Sequence, residues 1–317
     1  MLTLDDIQDR IPHRFENLLL DSCTIPEPNV SEFTIDLQTG DALGRDIFLY
    51  NMEGSFVVPT PLLAEIAALA CIVSAGKIPD GTFAYFAAIT QFSRSSSPFK
   101  ANHTIHGSTK KISDKNGFFK YQFSIKNQDS AESNGQLMAF YDTSGSTDVE
   151  TGSPIELSTA ITNDMAKPPL ALPSNPSKVD HMTFINACHM VSPTSALYAY
   201  TYPNNHPLVR GHFPSNPVMM GVCQWQMLED AMTHYFNHFN KLFSSSTIVK
   251  KRCDAIIFKS DGTPVCDIKS ANIMGNKHSD RWHAFTSMAK KVLFKQRVLP
   301  GDQLFISISS IETVESI

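Results

Sequence analysis

The chain reads as an α+β protein made of two similar halves, and three features of the sequence predict it. Two apolar helical stretches, 61–75 and 221–236, each stand ahead of strand-like runs. The same order of signals recurs on either side of a segment rich in Ser, Thr, Pro and Asn at 151–178. A length of 317 residues suits two domains of ordinary size.

Each half opens on an apolar run with strand character, NLLLDSCTI (17–25) and MTFINACHMV (182–191). An irregular Gly/Pro segment follows, and then the helix. ITQFSRSSSPFKANHTI (89–105) is mirrored by KVLFKQRVLPGDQLFIS (291–307), with Phe92 and Phe294 each six residues ahead of a proline. FFKYQFSIKN (118–127) and GQLMAFYDT (135–143) add further strands. The segment 151–178 lacks apolar periodicity and reads as a linker, which sets the expected domains at 1–150 and 179–317. The halves are unequal. Phe92 follows Glu65 by 27 residues and Phe294 follows Gln226 by 68, so 41 extra residues fall within 237–285. They include DAIIFKSDGTPVCDIKSANI (254–273), a hairpin by its Asp-Gly turn, expected to fill sheet positions that the short C-terminus leaves empty.

Composition narrows the function. With 42% hydrophobic and 18% charged residues the chain is globular, and a net charge of −5 gives no global attraction to nucleic acid or to an anionic membrane. The basic runs at Lys250–Arg252 and Lys290–Arg297 read as solvated faces. MLTLDDIQDR is not built like a secretory signal, and 61–76 is too short for a bilayer span, so a cytoplasmic location is expected. Six cysteines show no metal spacing and are expected to be reduced. His206, His234 and His238 show no metal spacing with a third ligand, so neither metal nor other cofactor is expected.

GHFPSNPVMMGV (211–222) resembles the GHFPGxPxxPGV signature of the beta-hydroxyacyl-acyl carrier protein dehydratases. IPHRFENLLLD (11–21) resembles that family's PHRYPFLLVD segment, and FKQRVLPGD (294–302) its FRRPVVPGD segment. The resemblance implies a double hotdog in one chain: two antiparallel sheets, each wrapped around a long central helix. It also implies a catalytic acid fourteen residues after the motif histidine. Counting from His212 lands on Gln226, a carboxamide that cannot serve as an acid. NMEGSFVVPTPLLAE (51–65) aligns without a gap on 212–226 and sets Asn51 opposite His212 and Glu65 opposite Gln226. One half therefore keeps the histidine and the other the acid. Paired as the family's homodimer is, the halves would complete one site from His212 and Glu65 and leave a degenerate one at Asn51 and Gln226.

The chemistry implied is dehydration of a 3-hydroxyacyl thioester in fatty-acid or polyketide-type synthesis. Imidazole takes the C2 proton, and a carboxyl kept protonated by burial protonates the C3 hydroxyl. Gly221, at the start of the second helix, matches the family glycine whose backbone N–H receives the thioester carbonyl; Thr60 stands at its place in the first half. Phe213, Met219, Met220 and Trp225 are candidates for an acyl tunnel or for ordinary core. Glu229 and Asp230 are alternative acids, with an exposed face as their expected place. Arg210 is the candidate contact for an acyl carrier protein, the expected donor of the substrate on its phosphopantetheine arm; coenzyme A is the second choice. A monomeric pseudo-dimer is expected. The rivals are a hotdog acyl thioesterase and a non-catalytic acyl-binding module.

Overall fold

A computed structural model describes residues 1–77, 82–115, 117–142, 154–179, 181–213, 217–243 and 246–314. The first half runs α1 (Leu4–Gln8), β1 (Ser22–Glu27), β2 (Val30–Ile35), β3 (Tyr50–Met52), β4 (Ser55–Val57), α2 (Thr60–Ala75), β5 (Phe83–Arg94), β6 (Ile105–Lys115), β7 (Phe118–Asn127) and β8 (Glu132–Asp142). Then come α3 (Thr159–Met165), β9 (Leu170–Ala171), β10 (Ala187–Val191), β11 (Ala196–Thr201), α4 (Val209–His212) and α5 (Gly221–His238). The chain closes with β12 (Ile248–Lys259), β13 (Pro264–His278), β14 (Arg281–Ala289), β15 (Lys291–Phe294) and β16 (Gln303–Thr313).

Helix α2 starts where Pro61, which lacks an N–H, is tolerated in the first turn, and it stops at Gly76 with φ +97°. Apolar residues surround it on every side, and every residue from Thr60 to Val73 is buried. Such a helix has no solvent face, so sheet must cover it. It packs on β2, β6 and β7 of its own half, on β14, and on α5.

The resemblance implied two separate sheets. Instead, apart from the β3–β4 pair, the described strands form one antiparallel sheet of 14 members, 13 of them ordered β1-β2-β6-β7-β8-β5-β14-β13-β12-β16-β11-β10-β9 and the last, β15, pairing with β13 and β5. The halves join where β5 pairs with β14 (Phe92 with Ala289) and with β15 (Ile89 with Val292). Joining satisfies backbone groups that each half would otherwise leave along an open edge. The inserted hairpin is β12 and β13, closed by a turn with Gly262 at φ +85°. It lies inside the sheet, with β12 between β13 and β16.

The segment 151–178 is more than a tether. Its residues 151–153, at the expected domain boundary, lie outside the described part. Beyond them Ile155, Leu157, Ile161 and Met165 cover a small cluster of Leu197, Ala199, Phe258 and Phe305, separate from the main core. At its end Lys178 is buried in an ion pair with Asp230, whose other oxygen accepts from the Phe184 N–H at 2.7 Å. Lys178→Ala would strand a buried carboxylate. Chemical denaturation should show a loss of about 3–5 kcal/mol, and a loss below about 1 kcal/mol would mean that the pair does not hold the segment down.

Candidate active site

His212 ends the single turn α4, and the N-terminal segment of the other half fixes that turn. The Arg14 N–H donates to the Gly211 carbonyl at 2.8 Å, and Asn17 Nδ2 donates to the Leu208 carbonyl at 3.4 Å. Only glycine fits at 211, because a Cβ there would lie 2.5 Å from the Arg14 carbonyl oxygen. The His212 ring is held by Nδ1 donating to the Val218 carbonyl at 2.9 Å. A carbonyl only accepts, so the proton sits on Nδ1 and Nε2 carries the lone pair. Burial lowers the His212 pKa from 6.5 to about 4.

Glu65 sits at mid-helix in α2 with 5% of its surface exposed. Burial raises its pKa from 4.5 to about 7, so near neutrality about half of it is still the acid. His212 and Glu65 line the same cavity of about 100 Å³, the histidine from the second half and the carboxyl from the first. Between about pH 4 and 7 one environment thus holds the imidazole unprotonated and the carboxyl protonated.

His13, which follows Pro12 in the N-terminal segment, completes the group. It is 2% exposed, with its Nε2 3.9 Å from Glu65 Oε1 and its ring centroid 5.0 Å from that of His212. Neither of its ring nitrogens has a hydrogen-bond partner. Burial above all, then His212 and Arg14, hold it well below the usual histidine pKa, so its contact with Glu65 is between neutral groups. One nitrogen or oxygen from each of His13, Glu65 and His212 lies within 4.8 Å of the others, a donor set of two imidazoles and a carboxylate that could also hold a metal ion. Sequence reasoning missed His13. Its signal was present in IPHRFENLLLD, which was read for fold alone.

Gly221 is the first residue of α5 and lines the cavity. A Cβ there would come to 3.2 Å from the Phe294 ring, so the glycine lets helix and ring approach closely. Of the tunnel candidates, Phe213 and Met219 line the cavity and Met220 and Trp225 do not. Trp225 is core: fully buried, edge-on to Phe92, with Nε1 donating to Thr286 Oγ1 at 3.0 Å. Phe213 packs on His13 at 5.3 Å and on Tyr85 at 6.0 Å. Arg210 is largely exposed and pairs with Glu16 at 3.0 Å.

Residues 189–257, which include α4 and α5, match a family model of ApeI-like proteins described as ApeI dehydratase. This segment is dehydratase-like. Among curated proteins none matches the chain. Of solved structures, a trans-AT polyketide synthase dehydratase domain from Brevibacillus brevis is 12% identical, with 96% of this chain and all of that one covered at a TM-score of 0.48. A dehydratase domain of a mycocerosic acid synthase-like polyketide synthase is 11% identical, covering 90% of this chain and 95% of its own at 0.48. The dehydratase heterocomplex ApeI:P from Xenorhabdus doucetiae is 15% identical and covers 45% of this chain and 93% of its own at 0.38.

The two residues expected in a degenerate second site have different surroundings. Asn51 is exposed, with Oδ1 accepting from the Gly54 N–H at 2.7 Å. Ser215, which aligns with Gly54, lies outside the described residues. Gln226 is buried, with Nε2 3.4 Å from Glu229 Oε2. A second cavity of about 260 Å³ does stand at the related place, lined by Thr60, Glu229 and Arg94. Arg94 donates to Thr60 Oγ1 at 2.7 Å and lies over the Phe285 ring at 4.3 Å. The exposed face expected for Glu229 and Asp230 is wrong, since they are 1% and 4% exposed. The β14 backbone receives the first, with the Thr286 N–H at 2.7 Å, and Lys178 the second.

The Glu65 pKa carries a signed consequence for stability. Folded, the group keeps its proton up to about 7, whereas unfolded it releases it near 4.5, so its contribution is complete below 4.5 and is lost as pH rises through 7. Glu65→Gln removes that dependence. Relative to the native chain it should gain about 3 kcal/mol between acid pH and pH ~8, read by denaturant midpoints. An unchanged difference would place the carboxyl in water.

Proposed function

We propose that the chain dehydrates a 3-hydroxyacyl thioester to the trans-2-enoyl thioester. It does so as a double hotdog, with hotdog 1 in 1–150 supplying Glu65 and hotdog 2 in 179–317 supplying His212. The observation that carries this reading is the meeting of His212 and Glu65 in one cavity in opposite protonation states.

The Nε2 lone pair of His212 removes the C2 proton. Glu65 gives its proton to the C3 hydroxyl, which leaves as water while the C2–C3 double bond forms. Negative charge on the thioester oxygen is met by the Gly221 N–H at the start of α5, where the helix end is partially positive. Phe213 and Met219 supply apolar wall for the acyl chain. The substrate would arrive on the phosphopantetheine of an acyl carrier protein, with coenzyme A as the alternative, and the setting would be a cytoplasmic fatty-acid or polyketide-type synthesis. Arg210 is the proposed contact for a carrier, although its guanidinium already holds Glu16. Among the described residues no helix is long and apolar enough to cross a membrane.

The test is product analysis with a 3-hydroxyacyl-pantetheine substrate. Enoyl thioester without free thiol supports dehydration; free thiol would make the chain a thioesterase. His212→Ala and Glu65→Gln should each lower the rate on the order of 10²–10⁴-fold, and unchanged function in both would leave only an acyl-binding module.

The competent state needs His212 neutral and Glu65 protonated, so kcat/KM should be greatest between about 4 and 7. It should fall below that window as His212 gains a proton and above it as Glu65 loses one. A profile still rising at pH ~9 would remove Glu65 as the acid. The three-donor set makes a second check necessary. Activity should survive exhaustive chelation, and loss on chelation with recovery on adding zinc would turn His13, Glu65 and His212 into ligands.

A further inference from the structure

Each dehydration leaves the site in the wrong state. His212 has gained the C2 proton and Glu65 has lost its own, so a second turnover needs one proton to pass from imidazolium to carboxylate. His212 cannot discharge through Nδ1, which the Val218 carbonyl engages at 2.9 Å.

We propose that His13 resets the site by relaying that proton, an inference that rests on the dehydration proposed above. Its Nε2 is 3.9 Å from the Glu65 carboxyl, and its ring meets that of His212 edge-on with centroids 5.0 Å apart. The unprotonated nitrogen of His13 takes the proton from His212 Nε2, and the same nitrogen then passes it to the Glu65 carboxylate. Nothing is gained or lost: His212 returns to neutral, Glu65 to the acid, and His13 to the neutral tautomer from which it began. Both of its nitrogens are buried and lack hydrogen-bond partners, so the ring can turn from His212 to Glu65 without breaking a hydrogen bond. An unpartnered buried imidazole is a cost for a structural residue, since each bare nitrogen forgoes hydration. A relay needs that freedom. Its depressed pKa fits as well, because a relay that trapped the proton would stop the cycle.

His13 is thus a positioning residue for protons: it acts on His212 and Glu65 and not on the substrate. The test compares two rates with 3-hydroxyoctanoyl-pantetheine in His13→Ala and His13→Phe. With enzyme in excess, the single-turnover rate of enoyl formation should stay within about threefold of the native rate. Under multiple turnover kcat should fall at least about tenfold, the scale of a lost proton-transfer group. Free imidazole added to His13→Ala should restore multiple turnover and leave the single turnover alone. If both rates hold, or both fall in proportion without rescue, the relay is wrong and His13 only shapes the wall. If the native chain forms no enoyl product, the dehydration reading has failed first, and the relay falls with it.

Discussion

The seating of the N-terminal segment on the α4 turn of the opposite half is the contact on which the site depends. Two backbone atoms define it, the Arg14 N–H and the Gly211 carbonyl 2.8 Å away. Gly211 has no side chain to hold the segments apart, and the next residue is His212. The segment that meets it carries His13, and α2 of the same half carries Glu65. Docking this one segment therefore sets three titratable side chains around one cavity. The β5 pairings with β14 and β15 make the arrangement rigid by continuing the sheet across the junction.

Burial then acts on the two groups in opposite senses. It disfavours charge on both, which empties the imidazole and fills the carboxyl. A base and an acid follow from a single cause, without a neighbouring ion. In the second cavity Glu229 accepts hydrogen bonds from the Thr286 N–H and from Gln226 and shares the lining with Arg94, and burial still raises its pKa to about 7. Both cavities are lined by a helix start, at Thr60 and at Gly221; the first joins His212 to Glu65 across the two halves, whereas the second sets Glu229 beside His278 and His283 of its own half.

The sequence made the elements legible where periodicity was strong. The first helix, expected over 61–75, spans Thr60–Ala75, and the strand over 118–127 falls on β7. The run at 17–25 was legible only in part: residues 18–20 lie outside any strand, and β1 begins at Ser22. Apolar character there marks burial of Leu18, Leu19 and Leu20 in the core rather than pairing. The segment 151–178 hid its apolar residues at irregular spacing, because short covering elements need no regular face. Glu229 and Asp230 looked exposed because their partners, the Thr286 N–H and Lys178, lie 57 and 52 residues away in sequence. Trp225 and Met220 were open between tunnel and ordinary core, and both are buried in the core. The pairing of His212 with Glu65 was legible because the two lost residues, Asn51 and Gln226, are complementary. His13 was not, since nothing local distinguishes a histidine that faces a cavity from one that packs a loop.

A double-mutant cycle on dehydration puts the central claim to its most direct test. If His212 and Glu65 act as one unit across the junction, the doubly substituted His212→Ala, Glu65→Gln chain should be no slower than the worse single variant, within about threefold. Losses that multiply would mean that the two residues work in separate places, and that the two halves do not share an active site.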